Sequence, residues 1–226
     1  MRKIGVMLVV LFVLMPASVA SAHDPIILTA EQTTPARGPL LVDGTISFAL
    51  YGSLEGPTDT RGFRVQFQQD DPMYLSILIP DLAPENALED GLLPTLEVLD
   101  PMGEVSTYEP TERVTFAEPY SGTNYVRLLR YEGVALGGIY EITIKGEAAS
   151  RFTVSVGKIE QFGTAVEEID NRDLGVAGVM DWYAPPAETS TAPASDNSSV
   201  MLLVVLVALG VVAVVGARVR KGRKLQ

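Results

Sequence analysis

The sequence contains no cysteine and only one histidine, and each shortage removes a class of functional site. Without cysteine, the chain has no disulfide, no thiolate metal ligand and no cysteine nucleophile. A Ser-His-Asp triad has a single candidate base, His23, and no G-x-S-x-G string accompanies it. H-E-x-x-H, P-loop and G-x-G-x-x-G patterns are also missing. We therefore expect no enzyme of these classes.

Basic residues are scarce in the middle of the chain. Residues 23–199 hold all 28 acidic residues and ten of the 17 basic ones, which gives this region a net charge of −18. Such a surface repels polyanions, so nucleic acid and anionic lipid are not expected as partners. The charge favours solubility, attraction of cations, or basic partners.

Charge is absent from two apolar runs near the ends of the chain. The first, residues 4–14, follows Arg2 and Lys3 and precedes the small-residue string Ala20-Ser21-Ala22. A basic start, a short apolar core and an A-x-A site are typical of a secretory signal peptide. We predict a signal peptide over residues 1–22, cleaved after Ala22.

The second apolar run, residues 200–217, has 18 uncharged residues and reaches about 27 Å as a helix, close to the thickness of a bilayer core. Five basic residues follow it, so residues 218–226 should be a cytoplasmic tail. Residues 184–199 are rich in Pro, Ser, Thr and Ala and predict a stalk. The chain is thus expected to be a type I single-pass protein of the cell membrane, with its N-terminal domain outside.

Residues 23–157 have the pattern of short strands and turns that is typical of an all-β domain. Short runs with apolar residues at every second position are separated by turn residues and by no helical pattern. The predicted strands cover residues 45–51, 62–69, 73–79, 95–99, 114–116, 125–129, 139–144 and 152–156. This spacing predicts a β-sandwich or jelly roll. The acidic, irregular residues 81–94 are the best candidate for a functional loop.

Residues 158–183 change to helical spacing and predict a short helical extension. One helix is expected across residues 158–170, and a second across residues 173–183 with Asp173 as a candidate N-cap. Trp182 and Tyr183 would suit a helix lying on a membrane. Because the segment is acidic and separated from the membrane by the stalk, we expect it to pack on the sandwich instead.

Four segments together resemble bacterial pre-peptidase C-terminal domains. They are residues 59–67, 73–79, 94–103 and 137–145, about half of the outer region. The shared motifs are an aromatic strand at residues 63–67, the Asp-Pro-x-Gly turn that begins at Asp100, and a Gly-x-Tyr strand that begins at Gly138. The resemblance implies a jelly-roll-like accessory module that binds or localises and does not catalyse.

Predicted cleavage makes His23 the first residue of the mature protein. An N-terminal histidine can chelate Cu(II) through its α-amine and Nδ1. Asp24, a distant carboxylate or a methionine (Met73, Met102 or Met180) would complete such a site. The alternative is that cleavage falls before an ordinary polar residue.

Two weaker site hypotheses use carboxylates. A glycosidase needs a pair of them, and Glu85, Glu89 and Asp90 lie in the acidic loop. Calcium could bind at Asp70-Asp71 or Glu89-Asp90, although neither pair has the spacing of a defined Ca²⁺ loop.

The sequence as a whole predicts a membrane-anchored, extracytoplasmic, non-catalytic binding module, with a protein or glycan partner in the cell envelope. The first alternative is an envelope copper-binding protein that uses His23, with Asp24 as a second ligand. The second alternative is a carbohydrate-active enzyme that uses the loop carboxylates.

Overall fold

The computed structural model describes residues 23–118, 121–161, 163–169 and 172–184. Contacts divide the chain into Met1–Pro185 and Pro186–Gln226, and all described residues belong to the first unit. The predicted signal peptide, transmembrane helix, basic tail and nearly all of the stalk lie outside the described residues. Within the described part, no helix is both long enough and apolar enough to cross a bilayer.

Twelve strands form two six-stranded sheets in the described residues. The first sheet has the order β1 (Asp24–Ile27), β3 (Phe48–Leu54), β11 (Ser150–Val156), β5 (Pro72–Pro80), β9 (Asn124–Val134) and β8 (Val114–Ala117). The second has the order β12 (Val166–Glu167), β2 (Leu40–Leu41), β4 (Thr60–Phe67), β10 (Gly138–Lys145), β6 (Thr95–Leu99) and β7 (Val105–Tyr108). Neighbouring strands are antiparallel except for the pairs β1–β3 and β2–β4.

The two sheets share one hydrophobic core. Phe48 and Leu50 on β3 belong to the same buried cluster as Phe63 and Val65 on β4, so alternate residues of both sheets point inward. The prediction of a mostly β, two-sheet sandwich is therefore confirmed.

All eight predicted strands are present, with shifted ends. The prediction at residues 95–99 coincides with β6, whereas residues 45–51 correspond to β3, which begins at Phe48. Four strands were not predicted: β1, β2, β7 and β12. They are two to four residues long, which is too short for an alternating pattern to stand out.

The C-terminal extension differs from its prediction. No helix forms in the described part of residues 158–170; Ile159 makes a single bridge to Ile46, and Val166–Glu167 is strand β12. A 3₁₀ turn at Arg172–Leu174 leads into helix α1 (Gly175–Tyr183), whose N-cap is Leu174 and not Asp173. Helix α1 packs on the outer face of the first sheet, as expected, because Val179 and Trp182 join Ala49 and Tyr51 in a second apolar cluster.

Candidate functional site

His23 lines a narrow pocket beneath helix α1. The side chains around the pocket include Tyr51, Glu118, Ser121 and Val179. The space between them measures about 10 Å³, which is the room of one water molecule or ion. The only histidine of the sequence is therefore half-buried, at a pocket whose lining is mainly apolar.

The imidazole of His23 is already engaged inside the fold. Its Nδ1 is hydrogen-bonded to Ser47 Oγ, and the same hydroxyl donates to Glu160 Oε1 at 3.2 Å. Burial lowers the pKa of His23 below its usual 6.5, and the negative charges of Glu160 and Glu118 partly oppose that shift. Neutral imidazole is accordingly the form that the fold favours.

Asp24 is bound on the opposite side of strand β1. Its Oδ2 accepts hydrogen bonds from Arg172 Nη2 and, at 3.3 Å, from the backbone N–H of Gly163. The carboxylates whose charges act on His23 are those of Glu118 and Glu160, not that of Asp24. The structure thus presents two distant carboxylates as candidate partners of His23.

A chain of hydroxyl groups runs from the pocket floor to the aromatic cluster. Glu118 Oε2 accepts hydrogen bonds from the backbone N–H and the hydroxyl of Ser121, each at 2.6 Å. Ser121 Oγ lies 2.5 Å from Thr123 Oγ1, which donates to Tyr125 OH at 3.0 Å. Burial raises the pKa of Tyr125 to about 12, so its hydroxyl keeps its proton at neutral pH.

The last turn of helix α1 is fastened to the first sheet by two aromatic side chains. Trp182 Nε1 donates to the Gly52 carbonyl at 2.9 Å, and its ring meets Tyr51 edge-on with centroids 5.0 Å apart. Tyr183 OH donates to the Asn124 carbonyl at 2.8 Å and accepts from the Asn124 N–H at 3.1 Å. These contacts fix where the chain leaves the folded domain.

A buried ion pair between Arg151 and Glu85 also binds the last turn of helix α1. Arg151 Nε and Nη2 donate to the two carboxylate oxygens of Glu85 at 2.6 and 2.9 Å, and both side chains are under 10% exposed. Arg151 Nη1 donates to the carbonyls of Tyr183 at 2.8 Å and Ala184 at 3.0 Å. One guanidinium therefore joins loop 81–94, strand β11 and the carbonyl end of helix α1.

Loop 81–94 is structured by its contacts with the sandwich. It contains 3₁₀ turns at Glu85–Ala87 and Asp90–Leu92. Arg113 Nη2 donates to Asp90 Oδ1 at 2.8 Å and to the Leu88 carbonyl at 2.5 Å. This predicted functional loop is thus pinned at both of its turns.

The loop carboxylates have different surroundings. Burial alone raises the pKa of the Glu85 carboxyl, but hydrogen bonds and charge from Arg151 outweigh burial and hold the pKa below its usual value. An ionised, paired carboxylate is a poor general acid. Glu89 is exposed, and Asp90 is paired with Arg113.

The candidate calcium pair Asp70-Asp71 lies in the turn after β4. Asp70 has a positive φ of 68°, and Asp71 Oδ2 accepts the backbone N–H of Gln68 at 2.7 Å, so the carboxylate closes the turn. In the part of the chain that the structure describes, no group of three or more His, Asp or Glu side chains is arranged to hold a metal ion.

An apolar area is exposed on the outer face of the second sheet. Val105 on β7 pairs with Leu99 on β6, and Pro101 packs on Gly138 beside Ile139. We call Leu99, Pro101, Met102, Val105 and Ile139 the β6–β10 patch. Met102, Val105 and Ile139 are 77%, 60% and 43% exposed.

The β6–β10 patch lies at the end of the sandwich opposite the chain exit. Strand β10 begins at Gly138 beside the patch and ends at Lys145, and β11 begins five residues later, next to Arg151. The two ends of this eight-residue strand lie roughly 23 Å apart. The patch therefore faces away from the point where the predicted stalk begins.

Comparisons with known proteins give a resemblance at the level of structure alone. The sequence matches no family model and no curated protein. The pre-peptidase C-terminal domain of a collagenase from Bacillus anthracis is similar over 60% of this chain and 96% of that one, at 13% identity and a TM-score of 0.33. Resemblance to this family, predicted from the sequence, is thus found again in the structure.

A second similar structure is CorA from Methylomicrobium album BG8, described as a surface-associated copper-binding protein important in copper acquisition. The match covers 60% of this chain and 98% of that one, at 9% identity and a TM-score of 0.22. Because both TM-scores lie below 0.5, the two-sheet fold rests on the strand pairing described above, and the site on its own geometry.

Proposed function

We propose that the chain is a membrane-anchored binding module: an extracytoplasmic β-sandwich on a stalk, with its C-terminus in the cytoplasm and no turnover of its own. Its partner is a protein or glycan of the cell envelope, and the acidic outer region disfavours nucleic acid.

The observation that carries this proposal is the β6–β10 patch. Large apolar side chains on an exposed sheet face mark interaction sites when they lie together. This patch occupies the end of the sandwich away from Ala184, where the described chain ends. A module anchored to the membrane through its C-terminus would present this end of the sandwich away from the membrane.

The anchoring half of the proposal is tested by protease treatment of intact cells that produce the full chain. We expect the added protease to digest the sandwich of the full chain from outside the cell. In a separate experiment, a truncated variant that ends at Ala184 should be released into the medium. Protection of the sandwich in intact cells would contradict the topology.

The binding half is tested by site-specific photo-crosslinking in the same cells. A crosslinking residue at Ile139 should give a discrete adduct, whereas one at Thr143, on the outer face of the same strand, should not. Equal adducts at both positions, or none at Ile139, would contradict a role for the patch.

A second candidate function is copper binding at His23, supported by the charges of Glu118 and Glu160 beside a half-buried imidazole. Chelation by the α-amine and Nδ1 requires cleavage after Ala22 and displacement of Ser47 from Nδ1. Asp24 is held by Arg172, so Glu118 or Glu160 fits better as a further ligand.

This candidate is tested by titrating Cu(II) into the mature chain that begins at His23, with the His23→Ala variant as control. Tight one-to-one binding with nitrogen hyperfine structure in the EPR spectrum, lost in the variant, would support it. Weak binding that the variant shares would exclude His23 as a copper ligand.

A further inference from the structure

We propose that the open edge of strand β7 accepts an extended, positively charged segment of another protein as an added strand. The proposal rests on the proposed binding function and makes it specific, because β7 borders the β6–β10 patch. The partner segment is defined by its chemistry: a short uncharged run of β-forming residues with a basic residue at each end.

Strand β7 differs from the other edge strands of the two sheets. At the edge of the first sheet, β1 is tied by Asp24 to Arg172, and β8 is flanked by Arg113 and the buried Glu118. At the far edge of the second sheet, β12 has only two residues. β7 is four residues long, uncharged and exposed at its first three positions. Proteins normally block such edges with charge or cover.

The backbone of β7 offers pairing groups toward solvent. Asp100 N–H donates to the Glu104 carbonyl at 2.9 Å, which makes this opposed pair a hydrogen-bonded position of the ladder; the Glu104 N–H donates to Asp100 Oδ1 instead. Hydrogen-bonded and non-hydrogen-bonded pairs alternate along an antiparallel ladder. Ser106 and Tyr108 therefore bond to β6, while the N–H and C=O groups of Val105 and Thr107 point to the open edge. An added strand can use these four groups.

The side chains beside β7 specify the charge of the partner. Glu104 and Glu109 flank the strand, both exposed, and no basic residue lies between them. Glu141 lies next to Leu99 on the same outer face. Six residues of strand separate the two flanking carboxylates by roughly 17 Å. A partner with Lys or Arg at positions i and i+5 would meet both carboxylates while its central residues pair with β7.

The test uses two synthetic peptides and the full-length protein in detergent micelles. The probe is fluorescein-labelled Lys-Val-Thr-Val-Thr-Lys, and its matched control replaces both lysines with glutamate. Fluorescence anisotropy should show saturable binding of the lysine peptide, weakened by salt, and at least tenfold weaker binding of the glutamate peptide. Equal binding of the two peptides, or no binding of the lysine peptide, would overturn the proposal.

Two kinds of variant separate backbone pairing from charge. Thr107→Pro removes an outward N–H without removing a bond to β6 and should abolish binding, whereas Thr107→Ala keeps that N–H and should bind as the wild type does. Glu104→Gln combined with Glu109→Gln leaves the backbone intact and should weaken the lysine peptide at least tenfold. Thermal unfolding establishes that each variant is folded. Wild-type binding by Thr107→Pro or by the double variant would overturn the proposal.

The result also distinguishes this proposal from the function on which it rests. If crosslinks persist at Ile139 but the lysine peptide does not bind, the binding module stands and the edge proposal fails. A different set of results would identify a second copy of the chain as the occupant of the edge: the full-length protein dimerises, Thr107→Pro abolishes the dimer, and the lysine peptide does not compete. A partner segment from another protein would then be excluded.

Discussion

The outer faces of the two sheets differ in whether another element of the described chain packs on them. Helix α1 covers one part of the first sheet, where Trp182 and Val179 pack with Tyr51 and Tyr125. On the second sheet, the β6–β10 patch has no cover from any described residue and stays exposed. Both faces carry apolar side chains, yet among the described residues only the first sheet has a helix packed on its outer face. This contrast is the basis for proposing the bare face as the binding surface.

The covered face owes its cover to specific contacts and not to helix propensity. Helix α1 has nine residues and includes Gly175, Gly178 and two β-branched valines, a composition that does not sustain an isolated helix in water. Its stability must come from Arg151, Trp182 and Tyr183, which bond to its last turn or to the sheet beneath it. Breaking these contacts one at a time measures how far they make the first face different from the second.

The largest effect is expected from breaking the buried ion pair. Arg151→Ala leaves the Glu85 carboxylate buried without its partner and frees the carbonyls of Tyr183 and Ala184, so the free energy of unfolding should fall by about 3–5 kcal/mol. Urea unfolding measures the loss. The matched control is Arg130→Ala, which breaks the exposed pair with Glu132 and should leave the urea midpoint of unfolding nearly unchanged. Similar losses of stability in both variants would show that the buried Arg151–Glu85 pair contributes no more than an exposed ion pair.

A smaller loss is expected from removing the aromatic cover. Trp182→Ala deletes the ring contact with Tyr51 and the hydrogen bond to the Gly52 carbonyl, and should lower the free energy of unfolding by about 2–3 kcal/mol because part of the ring is already exposed. Circular dichroism during urea unfolding measures it. Met180→Ala, on the exposed side of the same helix, should change the free energy by at most about 0.5 kcal/mol. An effect at Met180 as large as that at Trp182 would argue against docking through Trp182.

Acid should loosen the covered face before it affects the carboxylates. The pKa of His23 is lowered by burial, so the folded state binds fewer protons than the unfolded state as pH falls from 6.5 through the folded-state pKa, and stability decreases over that window. The Glu85 pKa lies below 4.5, and its contribution is lost only as pH falls below that value. We expect a smaller decrease in stability between pH 7.5 and 5 for His23→Gln than for the wild type, measured by urea unfolding at each pH. Identical profiles would contradict the burial of His23.

Sequence patterns predicted the body of the sandwich and the packing of a C-terminal helix on it, and missed the exposed edge strand β7 of the second sheet. Strand β6 was predicted to the residue because Leu96 and Val98 alternate between Pro94 and Asp100, which bound the strand. Strand β7 was missed because its two apolar residues, Val105 and Tyr108, are three positions apart and give no period of two, whereas Val114 and Phe116 on the equally short β8 do.

The site was less predictable than the fold because its contacts join distant parts of the chain. Arg151 and Glu85 are 66 residues apart, and no local pattern pairs them. The same holds for His23: the sequence suggested its neighbour Asp24, but the fold brings Glu118 and Glu160 to it. Side-chain partners of this kind are set by strand order and register, which single-sequence periodicity does not contain.

The smallest effect on stability is expected on the bare face, and that is what makes it informative. Val105→Ser and Ile139→Ser shorten side chains that are 60% and 43% exposed, so each should lower the free energy of unfolding by at most about 1 kcal/mol. Because Ile139 is replaced in the double variant, the crosslinking residue is placed at Met102. If the double variant keeps most of its stability but loses the adduct that this residue forms in the otherwise wild-type chain, these side chains serve binding. If it is destabilised as much as Trp182→Ala, they belong to the fold, and the contrast between the two faces disappears.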